Sequence, residues 1–326
     1  MRTAILVVLA LAAPAAADDH CDHERAVAAA EADLLAAPEL FVTAGYTQQP
    51  AILWGEVATS AQPRVLAGVQ VGLVKIAAGS VTRGRADAEC RRSDAANRIA
   101  RGPNARALTA QLGVLDGAVR EGDAMIAKLA ADVDQQLATR PELIAARLRL
   151  DELRAQAAEA RRQLGMLPPV GELGGALADQ RAAVARIEDR EGRMRTLSAF
   201  DVNVRAGIDR SLDHPNDTPY FATVSVTVNT GVLFQHGVNK RAADATSRLA
   251  RAGEAALAAQ ATTDAQRAGE LAAVIAQLED DATTLARLSG EEARRLRRSL
   301  WFDLVQRKAD RAFLVARVAA TRELAR

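Results

Sequence analysis

The residues best suited to chemistry stand together near the amino terminus, where Asp18-Asp19-His20-Cys21-Asp22-His23 sets a thiol between two imidazoles with carboxylates on either side. Thiolate and imidazole in one short stretch suit copper or zinc, so His20, Cys21 and His23 are candidate metal ligands. The plainer reading of the same stretch is a polar terminus that binds nothing. The other two histidines stand apart. His214 lies in Asp213-His-Pro-Asn-Asp217, whose Asp, Pro and Asn favour a turn, and His236 has no nucleophile at a motif spacing. No P-loop, Gly-rich dinucleotide turn or HExxH occurs anywhere in the chain. The sequence predicts no catalytic residue, no cofactor and no enzyme.

Charge is the next resource. Among 326 residues, 42 Lys+Arg face 41 Asp+Glu, so there is no basic field to track a phosphate backbone and no nucleic-acid partner is expected. Two stretches concentrate opposite signs: Asp132 and Asp134 before Arg147 and Arg149, and Glu279, Asp280 and Asp281 before Arg294, Arg295, Arg297 and Arg298. Between them stand Thr139-Arg-Pro-Glu142 and Ser289-Gly-Glu-Glu292, both of the S/T-x-x-E form that caps a helix start. Each pattern reads as the tip of a helical hairpin. Carboxylates ahead of a tip and cations after it oppose the helix dipole, so these charges serve either a solvated, salt-bridged face or pairing across the hairpin or between chains.

The elements that hold these residues recur. Val69-Gln-Val71 matches Val226-Thr-Val228 at an offset of 157, and Ala86-Asp87-Ala88 matches Ala243-Asp244-Ala245 at the same offset. Downstream, the two capping boxes match at an offset of 150. The difference is one heptad, a length change that keeps the same helix face inward. The chain therefore reads as a duplicated α-β-β-α-α unit, mainly α with a small β part. Residues 1–17 carry Arg2, an apolar run from Ala4 to Ala13 and Ala15-Ala16-Ala17, the pattern of a cleaved signal peptide. The first repeat covers 18–170, with a β-hairpin at 40–76 and a helical hairpin at 81–165. The second covers 171–326, with a helix at 176–197, a β-hairpin at 200–234 and a helical hairpin at 238–324. Gly102-Pro103 predicts a break or kink in the first long helix.

All four strands alternate. Val69 and Val71, Val202 and Val204, and Val226 and Val228 fall on one face; Thr43, Gln70, Asn203, Arg205, Thr227 and Asn229 fall on the other, which reads as free of large apolar residues. Such strands suit a barrel wall, with lipid outside and a polar lumen inside. Phe41, Tyr46, Trp54, Phe200, Tyr220, Phe221 and Phe234 cluster beside them, where interfacial girdles would stand. Four strands cannot close a barrel, so three chains supplying twelve is the simplest closed answer.

In this order of elements the chain resembles the TolC family of outer membrane efflux proteins. Local matches are Gly79-Ser-Val-Thr-Arg83, which reads as a strand-to-helix junction, its repeat Gly237-Val-Asn-Lys-Arg241, and Leu164-Gly-Met-Leu-Pro168 at the end of a returning helix. The resemblance implies a homotrimer with a twelve-stranded barrel in outer membrane lipid and a periplasmic α-barrel. It also implies a periplasmic adaptor and an inner-membrane pump as partners, in a tripartite efflux or type I secretion system. A coiled-coil adaptor or scaffold that stays in the periplasm is the alternative. It would carry one helical hairpin where this chain has two.

Export to an oxidising compartment makes a Cys21–Cys90 disulfide an option. With the long helix starting at Val81, Cys21 and Cys90 are mismatched by roughly 12 Å at 1.5 Å per residue, so an unpaired Cys21 stays open beside it.

Overall fold

The computed structural model describes residues 16–48, 51–53, 56–58, 61–167, 171–211 and 220–326. Most of the expected signal segment, Trp54, Pro168 and the His214 turn lie outside the described residues. The elements run α1 (Ala16–Ala36), β1 (Glu39–Gln48), β2 (Ala51–Leu53), β3 (Glu56–Ala58), β4 (Ala61–Gly72), α2 (Leu73–Asp134), α3 (Arg140–Gly165), α4 (Ala176–Leu197), β5 (Phe200–Ser211), β6 (Tyr220–Val228), α5 (Val232–Arg287) and α6 (Glu291–Glu323). They form two compact units. One comprises Asp18–Arg91 and Ala182–Ser247; the other is built mainly from Arg92–Arg181 and Arg248–Arg326.

In the first unit β1, β4, β5 and β6 form a four-stranded antiparallel sheet in that order, and β2–β3 make a separate two-stranded ribbon. The β1–β4 register runs from Glu39↔Gln70 to Gln48↔Ala61, and β4–β5 from Gly72↔Asn203 to Arg64↔Ser211. Strand leads directly into helix at Gly72–Leu73, so α2 starts eight residues earlier than its expected start at Val81. Gly79 is thus no junction. It lies inside α2, where a side chain would come within 3.0 Å of the Ala32 carbonyl oxygen, and its bareness lets α1 pack closely. Likewise α5 starts at Val232 and not at 238.

The early start of α2 also removes the register mismatch. Cys90 lies 17 residues into α2 and Cys21 lies 15 residues from the end of α1, and the two form a disulfide with Cα atoms 5.4 Å apart. Arg25 donates to Asp87 Oδ1 at 3.0 Å and Arg83 to Asp33, so bridge and ion pairs together fasten the antiparallel α1–α2 pair. Cys21 therefore has no thiolate to offer a metal. Among the described residues no group of three His, Cys, Asp or Glu side chains is placed to hold one.

The second unit has a heptad core. Ala146, Leu150, Leu153, Ala157 and Ala160 on α3 recur at alternating steps of four and three and meet Leu108, Leu112, Leu115 and Leu129 on α2 and Phe302, Val305 and Ala309 on α6. That is the seam spacing of a coiled coil. Leu150 fits because the facing position on α2 is Gly122; a Cβ there would lie 2.5 Å from Leu150 Cδ1. Ala261, Asp264, Ala268 and Ile275 give α5 its own heptad stripe, and Asp264 accepts both arms of the Arg317 guanidinium from α6. A smaller cluster of Leu173, Ala176, Ala320 and Leu324 ties the start of α4 to the end of α6. α2 continues without a break through Gly102-Pro103, at the expense of the hydrogen bond that a residue-103 amide would give Ile99.

Two outcomes follow from this packing. Leu150→Ala should lower unfolding free energy by about 2–5 kcal/mol, whereas Leu148→Ala, at a position 61% exposed, should change it by less than about 0.5 kcal/mol; chemical denaturation of both variants checks this. Denatured, unreduced protein should contain no reactive thiol, and Cys90→Ser should cost about 2–4 kcal/mol in the same denaturation measurement.

Candidate functional site

The sheet sorts its residues by face. Paired residues share a face, so Val42, Ala67, Ile208 and Tyr220 form one row, and Val71, Val204 and Val224 form another. Val202–Val226 and Phe200–Val228 follow on the same face, with Val69 between the rows. Among the described residues nothing covers it: Leu40 is 85% exposed, Val42 75% and Val226 62%. β-branched residues on an open face are what an apolar solvent would select. Phe200 at the helix end and Tyr220 at the far end bracket it, eight residues apart on β5 because Tyr220 pairs with Ile208. At 3.3 Å per residue that is about 26 Å along the strand, comparable with an apolar band of about 25 Å. Among the described residues no helix is long and apolar enough to cross a membrane.

The opposite face is polar but not free of apolar residues. Thr43, Gln70, Arg205 and Thr227 share it, and so do Phe41, Leu66 and Phe221. Expecting no large apolar side chain there was wrong, because strand register puts Phe41 and Phe221 over a pair of glycines, Gly68 and Gly207. Neither aromatic stands on the Val-rich face. Gly68 and Gly207 are directly opposite, and a Cβ built on either would reach within 2.8 Å of the other's Cα; only glycine allows β4 and β5 to approach so closely. Asn203 is 7% exposed, accepts from Gln70 Nε2 at 3.4 Å and donates to Asp201 Oδ1 at 2.8 Å, so it is a packed residue and not part of an open lining. Asn229 leaves the face altogether. It follows the last residue of β6, gives its N–H to the Ala199 carbonyl at 2.7 Å and takes the Gly231 N–H on Oδ1 at 2.9 Å, forming the turn into α5.

The hairpin tips are built differently from each other. At the first, Thr139 precedes α3 and the Glu142 carboxylate accepts its N–H at 3.3 Å. Gln136 takes a left-handed φ of 60°, and the Leu137 N–H returns to the Asp132 carbonyl at 2.8 Å, closing the end of α2. At the second tip the expected Ser289–Glu292 capping box does not form. Gly290, with φ 141°, occupies the cap position and starts α6 one residue later than the repeat predicts. Only glycine is comfortable at that φ.

Glu142 does more than cap. With its side chain 10% exposed, it accepts from Arg295 and, at 3.1 Å, from Arg298, while Arg295 also meets Glu291. Around Glu142 the charges thus join the two returning helices, α3 and α6. Arg149 joins Asp303 at 3.1 Å on the same pair of helices. Burial, with Arg294 the next cause, pushes the Arg298 guanidinium below its usual range. A cavity of about 300 Å³ opens beside it, lined by Glu142, Arg149, Arg295, Arg298, Ser299 and Phe302. Across the second hairpin, Lys308 pairs with Glu279 at 2.7 Å. Among the described residues Asp280, Asp281, Arg294 and Glu292 make no ion pair within 4 Å. The Glu142 cluster was not foreseen, since a capping carboxylate gives no sequence signal of a second role.

Neither a family model nor a curated protein matches this chain. Solved structures do. The chain is similar in fold to the MtrE outer membrane channel of Neisseria gonorrhoeae in its open state, with a TM-score of 0.51 at 12% identity over 96% of this chain and 86% of that one. The outer-membrane channel OprN matches at 0.49 and 11% identity over 94% and 86%, and VceC of Vibrio cholerae at 0.47 and 12% over 94% and 90%. The likeness to MtrE is one of fold: a mainly helical chain that carries four antiparallel strands.

Glu142→Gln should lower unfolding free energy by about 1–3 kcal/mol, because Arg295 and Arg298 lose their charged acceptor; Glu292→Gln, exposed and without an ion pair, should stay within about 0.5 kcal/mol of the unaltered protein. Thermal denaturation of the two variants side by side is the check.

Proposed function

We propose that this protein is an outer-membrane exit duct. Three copies close a twelve-stranded barrel in the outer membrane, and the helices stand in the periplasm. One observation carries this reading: the sheet ends in two strands, β1 and β6, each paired on one side only, and exposes an apolar face that no described element covers. Joining β6 of one copy to β1 of the next satisfies both edges and repeats around a threefold axis. Val69, Val71, Val202, Val204, Val226 and Val228 then face lipid, and Thr43, Gln70, Arg205 and Thr227 face a polar lumen. The shared fold with an outer membrane channel supports the same assignment.

The function is passage and not chemistry. Solutes move from periplasm to exterior, driven by an inner-membrane pump that reaches the duct through a periplasmic adaptor at the hairpin tips, in an efflux or type I secretion system. The disulfide between Cys21 and Cys90 supports export, since such bonds persist in oxidising compartments.

Membrane fractionation and the mass of the detergent-extracted oligomer test the proposal. The mature protein should sediment with outer membranes as a trimer. Val226→Arg should impair insertion by about 2–4 kcal/mol near the bilayer midplane, while Thr227→Arg is tolerated. Recovery of a soluble monomer after osmotic shock, or equal tolerance on the two faces, would overturn it in favour of a periplasmic adaptor or scaffold.

A further inference from the structure

One row of residues on the polar face reads Phe41, Gly68, Gly207, Phe221 across the four strands. β1 and β6 are three inter-strand steps apart, about 14 Å at 4.8 Å each, yet the Phe41 and Phe221 ring centroids are 6.2 Å apart with ring planes at 57°. The glycines leave nothing between the rings, so they lean together over bare backbone. Two residues nearer the start of β5, Arg205 holds its guanidinium 5.8 Å from the centre of the Phe41 ring, within cation–π range. Other charges of this face are matched locally: Arg64 pairs with Asp209 at 3.2 Å and Glu39 with Lys75, while Asp201 accepts from Asn203. Arg205 differs from them. Among the described residues it has no carboxylate within 4 Å, and it is exposed while both rings are half-buried.

We propose that Phe41, Phe221 and Arg205 form a selectivity band for aromatic anions. The proposal rests on the duct reading, in which three copies bring six rings and three uncompensated cations to one level of the lumen. A flat arene carrying a carboxylate or sulfonate gains twice there, by lying against an aromatic face and by a charge-assisted hydrogen bond from the guanidinium. A neutral arene lacks the charge and a small anion lacks the face. Rings of like charge lining a pore set the sign of ion that passes, so the same three guanidinium groups make the duct prefer anions.

The test uses the full-length, detergent-extracted protein and equilibrium dialysis with three probes: 2-naphthalenesulfonate, 2-naphthol and methanesulfonate. The trimer should retain 2-naphthalenesulfonate about tenfold more tightly than either of the others. Arg205→Gln and Phe41→Leu should each remove most of that difference, and Arg205→Lys, which keeps charge, should restore part of it. In planar bilayers under a KCl gradient, the unaltered channel should favour chloride and Arg205→Gln should lose the preference. A trimer that retains the three probes equally, or whose Arg205→Gln and Phe41→Leu variants bind as the unaltered protein does, overturns the band while leaving the duct intact. A protein that never trimerises overturns the duct reading and the band with it.

Discussion

Backbone N–H and C=O groups along a sheet edge need partners, and in hydrocarbon each one left without costs several kcal/mol. β1 and β6 are both edges, ten and nine residues long, and they bound a sheet whose Val-rich face is bare. Soluble proteins blunt such edges with charges, prolines or a covering element. Here the bare face and the open edges occur on the same sheet, and one act of closure satisfies both. The rest of the proposed architecture is subordinate to that requirement. Alternation must hold without a slip across four strands, because a shift of one residue would send every valine to the other side. The registers from Glu39↔Gln70 to Phe200↔Val228 keep it.

The helical unit solves a different problem with different means. Half its residues are Ala or charged, so a deep core is out of reach and packing relies on narrow heptad seams, of which α3 with its 4-3-4-3 spacing is the clearest. Between seams, arginine side chains reach carboxylates on neighbouring helices: Arg154 to Asp123, Arg161 to Asp116, Arg181 to Glu254. Most of these pairs are exposed and individually weak. The two that are more buried, Arg317 with Asp264 and Arg298 with Glu142, fix the register of α6 against α5 and α3, because a misplaced helix would leave a desolvated charge alone.

Periodicity made the duplicated element order and the two sheet faces legible in the sequence: Val69, Val204 and Val226 sit where alternation puts them. Boundaries were less legible. Gly79 looked like a helix start because glycine marks junctions as readily as it marks close helix packing, and only the neighbouring Ala32 tells the two apart. That Phe41 and Phe221 share the polar face follows from alternation with Thr43 and Thr223, but that they stand in one row depends on three registers at once, which no single segment encodes. Glu142 was read correctly as a cap and incompletely as an ion-pair partner, since Arg295 and Arg298 lie more than 150 residues away along the chain. Ser289 failed as a cap for a local reason, the φ of Gly290.

The Cys21–Cys90 bridge encloses β1 and β4 and excludes β5 and β6. Its order along the chain has a bearing on biogenesis. An oxidant meeting the polypeptide as it emerges needs only the first 90 residues to seal the loop, so the first hairpin can be braced against its two helices before the second has been delivered. The later hairpin then has a finished edge, β4, to dock on. Under the proposed export, oxidation and sheet assembly would run in the same direction along the chain.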